Sequence, residues 1–317
     1  MDEFGIIDRY FRNQRVARDD VPLGIGDDAA VVGAAGDRPL AVTTDVLVNG
    51  VHFPEGTDPT TVGHKALAVN LSDIAAMGAE PAWATLGLTM EQVDESWLEA
   101  FCEGFFALAE QHNVQLVGGD LTRGAMTIAV QLIGLCGAGG WLTRAGAREG
   151  DLIYVSGSLG DAALALQLAA GMIVAPEPDR LRFDSRLQRP EPRIALGQAI
   201  LPWATAAIDI SDGLVADLGH ICESSGVGAE VDVARVPVSD AYRRRLSQVG
   251  WEPALTFGDD YELCFTVPPE AAAEMEHSCV GLAPAITRIG RIGGQSLQLT
   301  YNDQPFSVHE QGYQHFR

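Results

Sequence analysis

Lysine is nearly missing from this chain of 317 residues: Lys65 is the one lysine, and every other basic residue is arginine. Basic residues are scarce altogether, with 21 Lys and Arg against 43 Asp and Glu and a formal net charge of −22. A duplex-binding protein needs a basic surface, so nucleic acid is not an expected partner. The string G-x-x-x-x-G-K-[ST] is missing, which excludes a P-loop, and the H-R-D with strand lysine of protein kinases is missing too. No apolar run is long enough to span a bilayer, so no membrane is expected. The start, Met1-Asp2-Glu3-Phe4, lacks the basic and apolar regions of a signal peptide. The five cysteines, Cys102, Cys136, Cys222, Cys264 and Cys279, are odd in number, show no C-x-x-C and sit in apolar stretches. Buried reduced thiols and a cytoplasmic location are the expectation.

What is present reads as a globular enzyme, 47% hydrophobic and 20% charged. Helices are expected over 4–12, 60–77 and 95–112, with Gly78 as the C-cap of the second. Strands are expected at 40–44, 82–88, 115–117 and 127–135, an α/β alternation. Gly137, Gly139 and Gly140, with Gly146 and Gly150, mark a boundary near residue 145, dividing the chain into 1–145 and 146–317. The second half repeats the alternation, with strands at 152–155, 206–209, 229–233, 263–267, 285–289 and 296–299 and helices at 159–170 and 213–224. The proline- and charge-rich stretch 176–192 is expected to be a mobile excursion, and the arginines from Arg180 to Arg193 and those at 243–245 solvated faces, with closing on phosphate as the second reading for the first group.

Several acidic residues lie in apolar or glycine-rich surroundings. Asp27 and Asp28 follow Gly-Ile-Gly, Asp45 closes an apolar strand, and Asp73 interrupts an Ala-rich helix. Asp120 follows Val117-Gly118-Gly119, and Asp209 and Asp212 bracket Ile210-Ser211. A carboxylate beside apolar chain is costly unless paired or bound to a cation. Placement at strand ends puts such groups where open sheets bind ligands. With one lysine in the chain, a polyphosphate ligand would need its charge offset by Mg²⁺ held on carboxylates. Each position also has a plain reading: Asp27 as a turn residue, Asp212 as a helix cap, His52 as a satisfied structural histidine, Glu262 as the partner of a surface Arg, Tyr313 as ordinary core, Arg144 as a boundary ion pair.

The motifs Gly24-Ile25-Gly26-Asp27-Asp28, Thr43-Thr44-Asp45, Val51-His52-Phe53, the helix from Ala66 to Gly78, Gly118-Gly119-Asp120, Asp209-Ile210-Ser211-Asp212-Gly213 and Gly258-Asp259-Asp260-Tyr261-Glu262-Leu263 together resemble the series of the thiamine-monophosphate kinase family. The resemblance covers nearly the whole chain. It implies the two-domain fold of aminoimidazole ribonucleotide synthetase: an N-terminal α/β domain that dimerises by completing a β-barrel, a C-terminal α+β domain, and ATP between them. It implies transfer of phosphate from ATP to thiamine monophosphate, giving ADP and thiamine diphosphate, by direct Mg²⁺-assisted in-line displacement in a homodimer. Asp28, Thr43, Thr44, Asp45, Asp73, Asp120, Asp209 and Asp212 are then the ligands of several Mg²⁺ ions, with Asp45, Asp120, Arg144 and Asp209 closest to the transfer. His112, Gly119, Asp120, Arg144 and Ser211 face ATP, and His52, Glu262 and Tyr313 face thiamine monophosphate. The chain departs from the family at 112, where His stands in place of a frequent Tyr. Two other readings stand beside this one: a different ATP-dependent synthetase of the same superfamily, and a non-catalytic nucleotide- or thiamine-binding protein. Selenophosphate synthetases carry a reactive Cys with a nearby Lys close to the N-terminus, and the first 60 residues here contain neither.

Overall fold

The structure, a computed structural model, describes residues 3–12, 14–25, 30–33, 36–309 and 312, without the side chains of 3 and 4. Two compact units result: residues 1–74 with 79–138, and residues 75–78 with 139–317.

The first unit contains α1 (Glu3–Ile6), a π-helical segment (Ile7–Arg12), β1 (Leu40–Val48), α2 (Pro59–Ala76), β2 (Glu80–Met90), α3 (Glu95–Gln111), β3 (Gln115–Arg123) and β4 (Thr127–Leu135). Its four strands lie in the order β1-β4-β2-β3, antiparallel except for the β2/β3 pair. α2 is apolar nearly all round and is buried accordingly. It stops at Gly78, where Gly78 N–H bonds the Ala75 carbonyl and Ala79 N–H the Ile74 carbonyl, the paired bonds of a Schellman ending. α3 starts at Asp94, whose carboxylate accepts from the N–H groups of Ser96 and Trp97.

The second unit runs β5 (Leu152–Ser156), α4 (Asp161–Ala169), α5 (Glu177–Gln188), α6 (Ile194–Ile200), β6 (Ala206–Asp209), α7 (Leu214–Ser225), β7 (Ala229–Asp232), α8 (Asp240–Arg243), α9 (Leu246–Val249), α10 (Glu252–Thr256), β8 (Leu263–Val267), α11 (Ala272–Ser278), β9 (Ile286–Ile292), β10 (Leu297–Tyr301) and β11 (Gln304–Phe306). Seven strands form one mixed sheet in the order β11-β10-β7-β9-β5-β8-β6. Its core gathers Ile153, Val155, Phe183, Ile208, Leu218 and Tyr242.

Two local expectations need correction. The stretch 176–192 contains α5 rather than a loose excursion. Pro178 falls in the first turn, where a missing N–H costs nothing, and Phe183 and Leu187 bury the inner face. Asp45 and Asp120 lie within their strands and do not end them. Aspartate disfavours strands, but nine ladder pairs carry β1 on to Val48, and pairing with β2 carries β3 on to Arg123.

Candidate functional site

In the first unit the pleat sorts the Thr-Thr-Asp motif. Thr43 and Asp45 point to the face that α2 covers, and Thr44 points to the other, where Gln131 reaches its hydroxyl. The Thr43 hydroxyl donates to the Asp73 carboxylate through a very short contact. Asn70, fully buried one turn earlier on α2, accepts from the Asp45 N–H at 3.2 Å and is itself held by the Ala66 carbonyl. The i, i+3 spacing of Asn70 and Asp73 places both on the face toward β1. Burial, and then the Asp73 charge, push the Asp45 carboxyl up to about 7. Two carboxylates so placed repel unless a proton or a cation joins them. The oxygen donors Thr43, Asp45 and Asp73 suit Mg²⁺, which prefers hard ligands and few protein contacts. Among the described residues, no three Asp, Glu, His or Cys side chains converge as a complete metal cluster. Asp27 and Asp28 lie outside the described residues, as does Tyr313.

Asp120 is exposed on β3, at the opposite edge of the sheet from β1. Three strand spacings separate the two positions, about 14 Å. Beside it, Gly119 has φ +157°, and a Cβ there would stand 1.9 Å from the Leu86 carbonyl oxygen, so glycine is required. His52 follows β1 in a tight turn. Its Nδ1 accepts the Val48 N–H at 2.9 Å, which puts the ring proton on Nε2. His112 occupies the C-cap of α3. Burial first and His64 second hold its pKa below the usual value, and its buried Nε2 has no hydrogen-bond partner. His64 stands nine residues before Asp73 on α2, about 13 Å along the axis, so His112 is not gathered with the carboxylates.

In the second unit Asp209 ends β6, buried, and the Ile210 N–H continues to the Glu262 carbonyl at 2.7 Å. Ser211 and Asp212 follow in the turn to α7. Asp212 does not cap that helix; Gly213 holds the N-cap position. Asp217, which sequence reasoning missed, accepts the N–H groups of Asp212 and Gly213 at 3.0 and 3.1 Å. Burial pushes the Asp217 carboxyl up to about 7, against the opposing pull of the Asp212 and Gly213 N–H groups and, least, of Arg144. Arg144 thus lies near this turn, on an exposed loop whose carbonyl accepts from Ser225 Oγ at 3.3 Å. Asp217 lies one position beyond the i, i+3 spacing of a capping box, so the chain carries no standard local signal for it.

Glu262 is fully buried and densely partnered. Arg193 pairs with it through Nε and Nη2 at 2.7 and 2.6 Å, Arg186 Nη2 reaches it at 2.7 Å, and Ser156 Oγ donates to it at 2.5 Å. The arginines from Arg180 to Arg193 are therefore not all solvated: Arg186 and Arg193 turn inward. Asp179 likewise pairs with Arg244 and, at 2.6 Å, with the buried Arg245.

Comparison with known proteins adds the following. Residues 26–136 match the model described as AIR synthase related protein, N-terminal domain, and residues 148–302 match its C-terminal domain. A thiamine-monophosphate kinase of Salmonella typhimurium is 45% identical, over 99% of this chain and 98% of its own length. The crystal structure of thiamine-monophosphate kinase from Stenotrophomonas maltophilia is 46% identical, with a TM-score of 0.87 over 96% of this chain and 98% of that one. A structure of AaThiL complexed with AMPPCP and TMP is 34% identical, with a TM-score of 0.77 over 99% and 97%.

Proposed function

The chain belongs to the thiamine-monophosphate kinase family, and from that premise we propose that it transfers the γ-phosphoryl group of ATP to thiamine monophosphate, yielding ADP and thiamine diphosphate. The structural observation that carries the reading is the crowded pair Asp45 and Asp73 beneath Thr43, a buried acidic site in a protein with one lysine.

The acceptor is a phosphate monoester whose second pKa is about 6, so it is largely ionised at neutral pH and needs no strong general base. Mutual repulsion of two anions is the main obstacle, and the remedy is positioning and charge neutralisation. Thr43, Asp45 and Asp73 in the first unit and Asp209 and Asp212 in the second would hold Mg²⁺, which would supply the missing positive charge. Arg144 adds a guanidinium, and Ser211 is the residue of this turn that the family resemblance sets against the triphosphate. Gly119 and Asp120 on β3 are the pair that the family resemblance sets against the nucleotide; the missing side chain of Gly119 itself makes room for the Leu86 backbone. His52, with its proton on Nε2, presents a neutral donor toward the acceptor. Asp28 and Tyr313 complete the ligand and acceptor sets that the family resemblance implies.

We place the enzyme in the cytoplasm as a homodimer. All five cysteines are free and buried, and no described helix is long and apolar enough to cross a membrane. The deciding experiment is a coupled ADP assay with thiamine monophosphate, with and without Mg²⁺, followed by identification of the organic product. Thiamine diphosphate formed one-for-one with ADP supports the reading; ADP with inorganic phosphate instead would sink it.

A further inference from the structure

β1 stands at the edge of its sheet, so some of its N–H groups have no strand of this chain to meet. One of them, on Asp45, turns to α2, where Asn70 Oδ1 accepts it at 3.2 Å. Asn70 is out of character with its helix. It is fully buried, with Leu67, Val69, Leu71 and Ile74 buried around it in sequence. An amide in that place is poorer than an apolar side chain both in helix propensity and in desolvation, unless its hydrogen bonds compensate. Nδ2 donates to the Ala66 carbonyl, one turn back, at 3.2 Å. An N–H on one side and a carbonyl on the other leave a single orientation of the amide, with oxygen toward Asp45.

Two ties therefore join α2 to β1 beside the acidic pair: Asn70 to the Asp45 main chain, and Asp73 to the Thr43 hydroxyl. They differ in what a cation would do to them. The Thr43 hydroxyl and the Asp73 carboxylate are the groups that would turn to Mg²⁺, so their mutual bond is not available to hold them in place once it arrives. Asn70 grips the main chain instead, and its oxygen is already engaged. That tie persists with or without the ion. The charge matters as well: an aspartate at 70 would add a third carboxylate to a pair that already repels, whereas the amide supplies an acceptor without a charge.

We propose that Asn70 is the positioning residue of the acidic site: its amide fastens the Asp45 main chain to α2, so that the Asp45 and Asp73 side chains are held ready to share a divalent cation that Asn70 itself does not touch. The inference rests on the Mg²⁺ reading of that site. Groups that stand behind metal ligands and fix their orientation are part of a site's affinity, and Asn70 does this through the backbone of one ligand and the helix of the other.

Mn²⁺ takes the same hard oxygen ligands as Mg²⁺ and is paramagnetic, so its binding to the full chain can be read by electron paramagnetic resonance. Asn70→Leu keeps nearly the same volume and removes both hydrogen bonds. It should weaken Mn²⁺ binding by about ten- to a hundredfold, the scale of losing a group behind a metal ligand, and speed hydrogen exchange of the Asp45 amide. Turnover should fall at low Mg²⁺ and recover as Mg²⁺ is raised. Asn70→Ala adds no branched bulk and should weaken Mn²⁺ binding alike, which covers a leucine that does not fit. Val69→Ala opens a cavity at the neighbouring buried position, so it should lower the melting temperature yet leave Mn²⁺ affinity within about twofold. A folded Asn70 variant that binds Mn²⁺ within about twofold of wild type overturns the proposal, as does equal weakening in Val69→Ala. Wild-type protein that binds no Mn²⁺ overturns it together with the metal reading. Mn²⁺ binding needs no turnover, so Asn70-dependent binding in a protein that makes no thiamine diphosphate supports the Asn70 assignment and refutes the phosphotransfer reading alone.

Discussion

Asp45 and Asp37 flank the same stretch of β1, yet only Asp45 is crowded by a second carboxylate; Asp37 sits exposed in the turn before the strand. Asp→Asn preserves shape and removes a charge, so the two substitutions separate electrostatics from packing. Asp45→Asn should lower turnover about a hundredfold or more, near 2.7 kcal/mol of transition-state stabilisation. Asp37→Asn should leave it unchanged, and equal activity of the two variants would remove the main support for the carboxylate site. The pH dependence follows from the same pair. In metal-free protein the folded Asp45 carboxyl titrates near 7, above its unfolded value of about 3.9, so between these limits the folded state holds a proton that the unfolded chain has lost. Its contribution to stability is full below about pH 4 and disappears as pH rises through about 7. Thermal melts in EDTA should show that decline in the wild type and a flatter profile in Asp45→Asn. The motif itself was legible, because Thr43-Thr44-Asp45 and the spacing of Asn70 and Asp73 are written in the chain. The continuation of the strand past Asp45 to Val48 was not, since it depends on pairing with β4 far along the chain.

At the scale of elements, legibility tracked how local the determinants are. The helix between Pro59 and Ala76 and the strand Thr127–Leu135 emerged with nearly the right bounds, because apolar periodicity and a glycine stop lie within each segment. α5 did not emerge, because what seats it lies 65 residues away: Asp179 on the helix pairs with Arg244 and Arg245. The Glu262 hub was hidden for the same reason, with its two arginines 69 and 76 residues distant in sequence. The seating of α5 makes a prediction with a definite sign. Hydrogen bonding by Arg244, helped by Arg245, holds the Asp179 carboxyl below its usual range. Its folded pKa is therefore below the unfolded one, so the stabilisation is present above about pH 4 and is lost as pH falls further, when the unfolded chain takes up the proton first. Hydrogen exchange should show the amides of residues 177–188 losing protection in acid before the strands of the seven-stranded sheet do. Asp179→Asn should produce that loss already at neutral pH. Protection of α5 that is indifferent to both pH and the substitution would mean that Phe183 and Leu187 alone hold it.

For the whole molecule, two properties dominate: a net charge of −22 and one uncovered sheet face. The charge should repel free ATP, so AMPPCP binding by calorimetry should weaken at least about tenfold in EDTA relative to Mg²⁺; equal affinity in both would count against the carboxylate site. The sheet face concerns assembly. Leu40, Val42 and Val46 project from β1 away from α2 and are 52%, 59% and 46% exposed. They lie on a strand at the edge of its sheet, and the half-buried Ala129 and Ile133 of β4 lie opposite Val46 and Val42 and so continue the same face. An apolar edge strand left in water invites pairing, and natural proteins cover or charge such edges. Here the outward row is interrupted only by Thr44 and contains no charge. A second copy of the chain is the economical cover, because a two-fold axis brings the same patch from both partners and closes the assembly. Light scattering at micromolar concentration should therefore give twice the 33.7 kDa chain mass. Val42→Glu places a charge in the middle of the row without touching the core, so it should give a folded monomer. A dimeric Val42→Glu variant would move the interface elsewhere, and a monomeric wild type would leave the apolar face of β1 without its explanation.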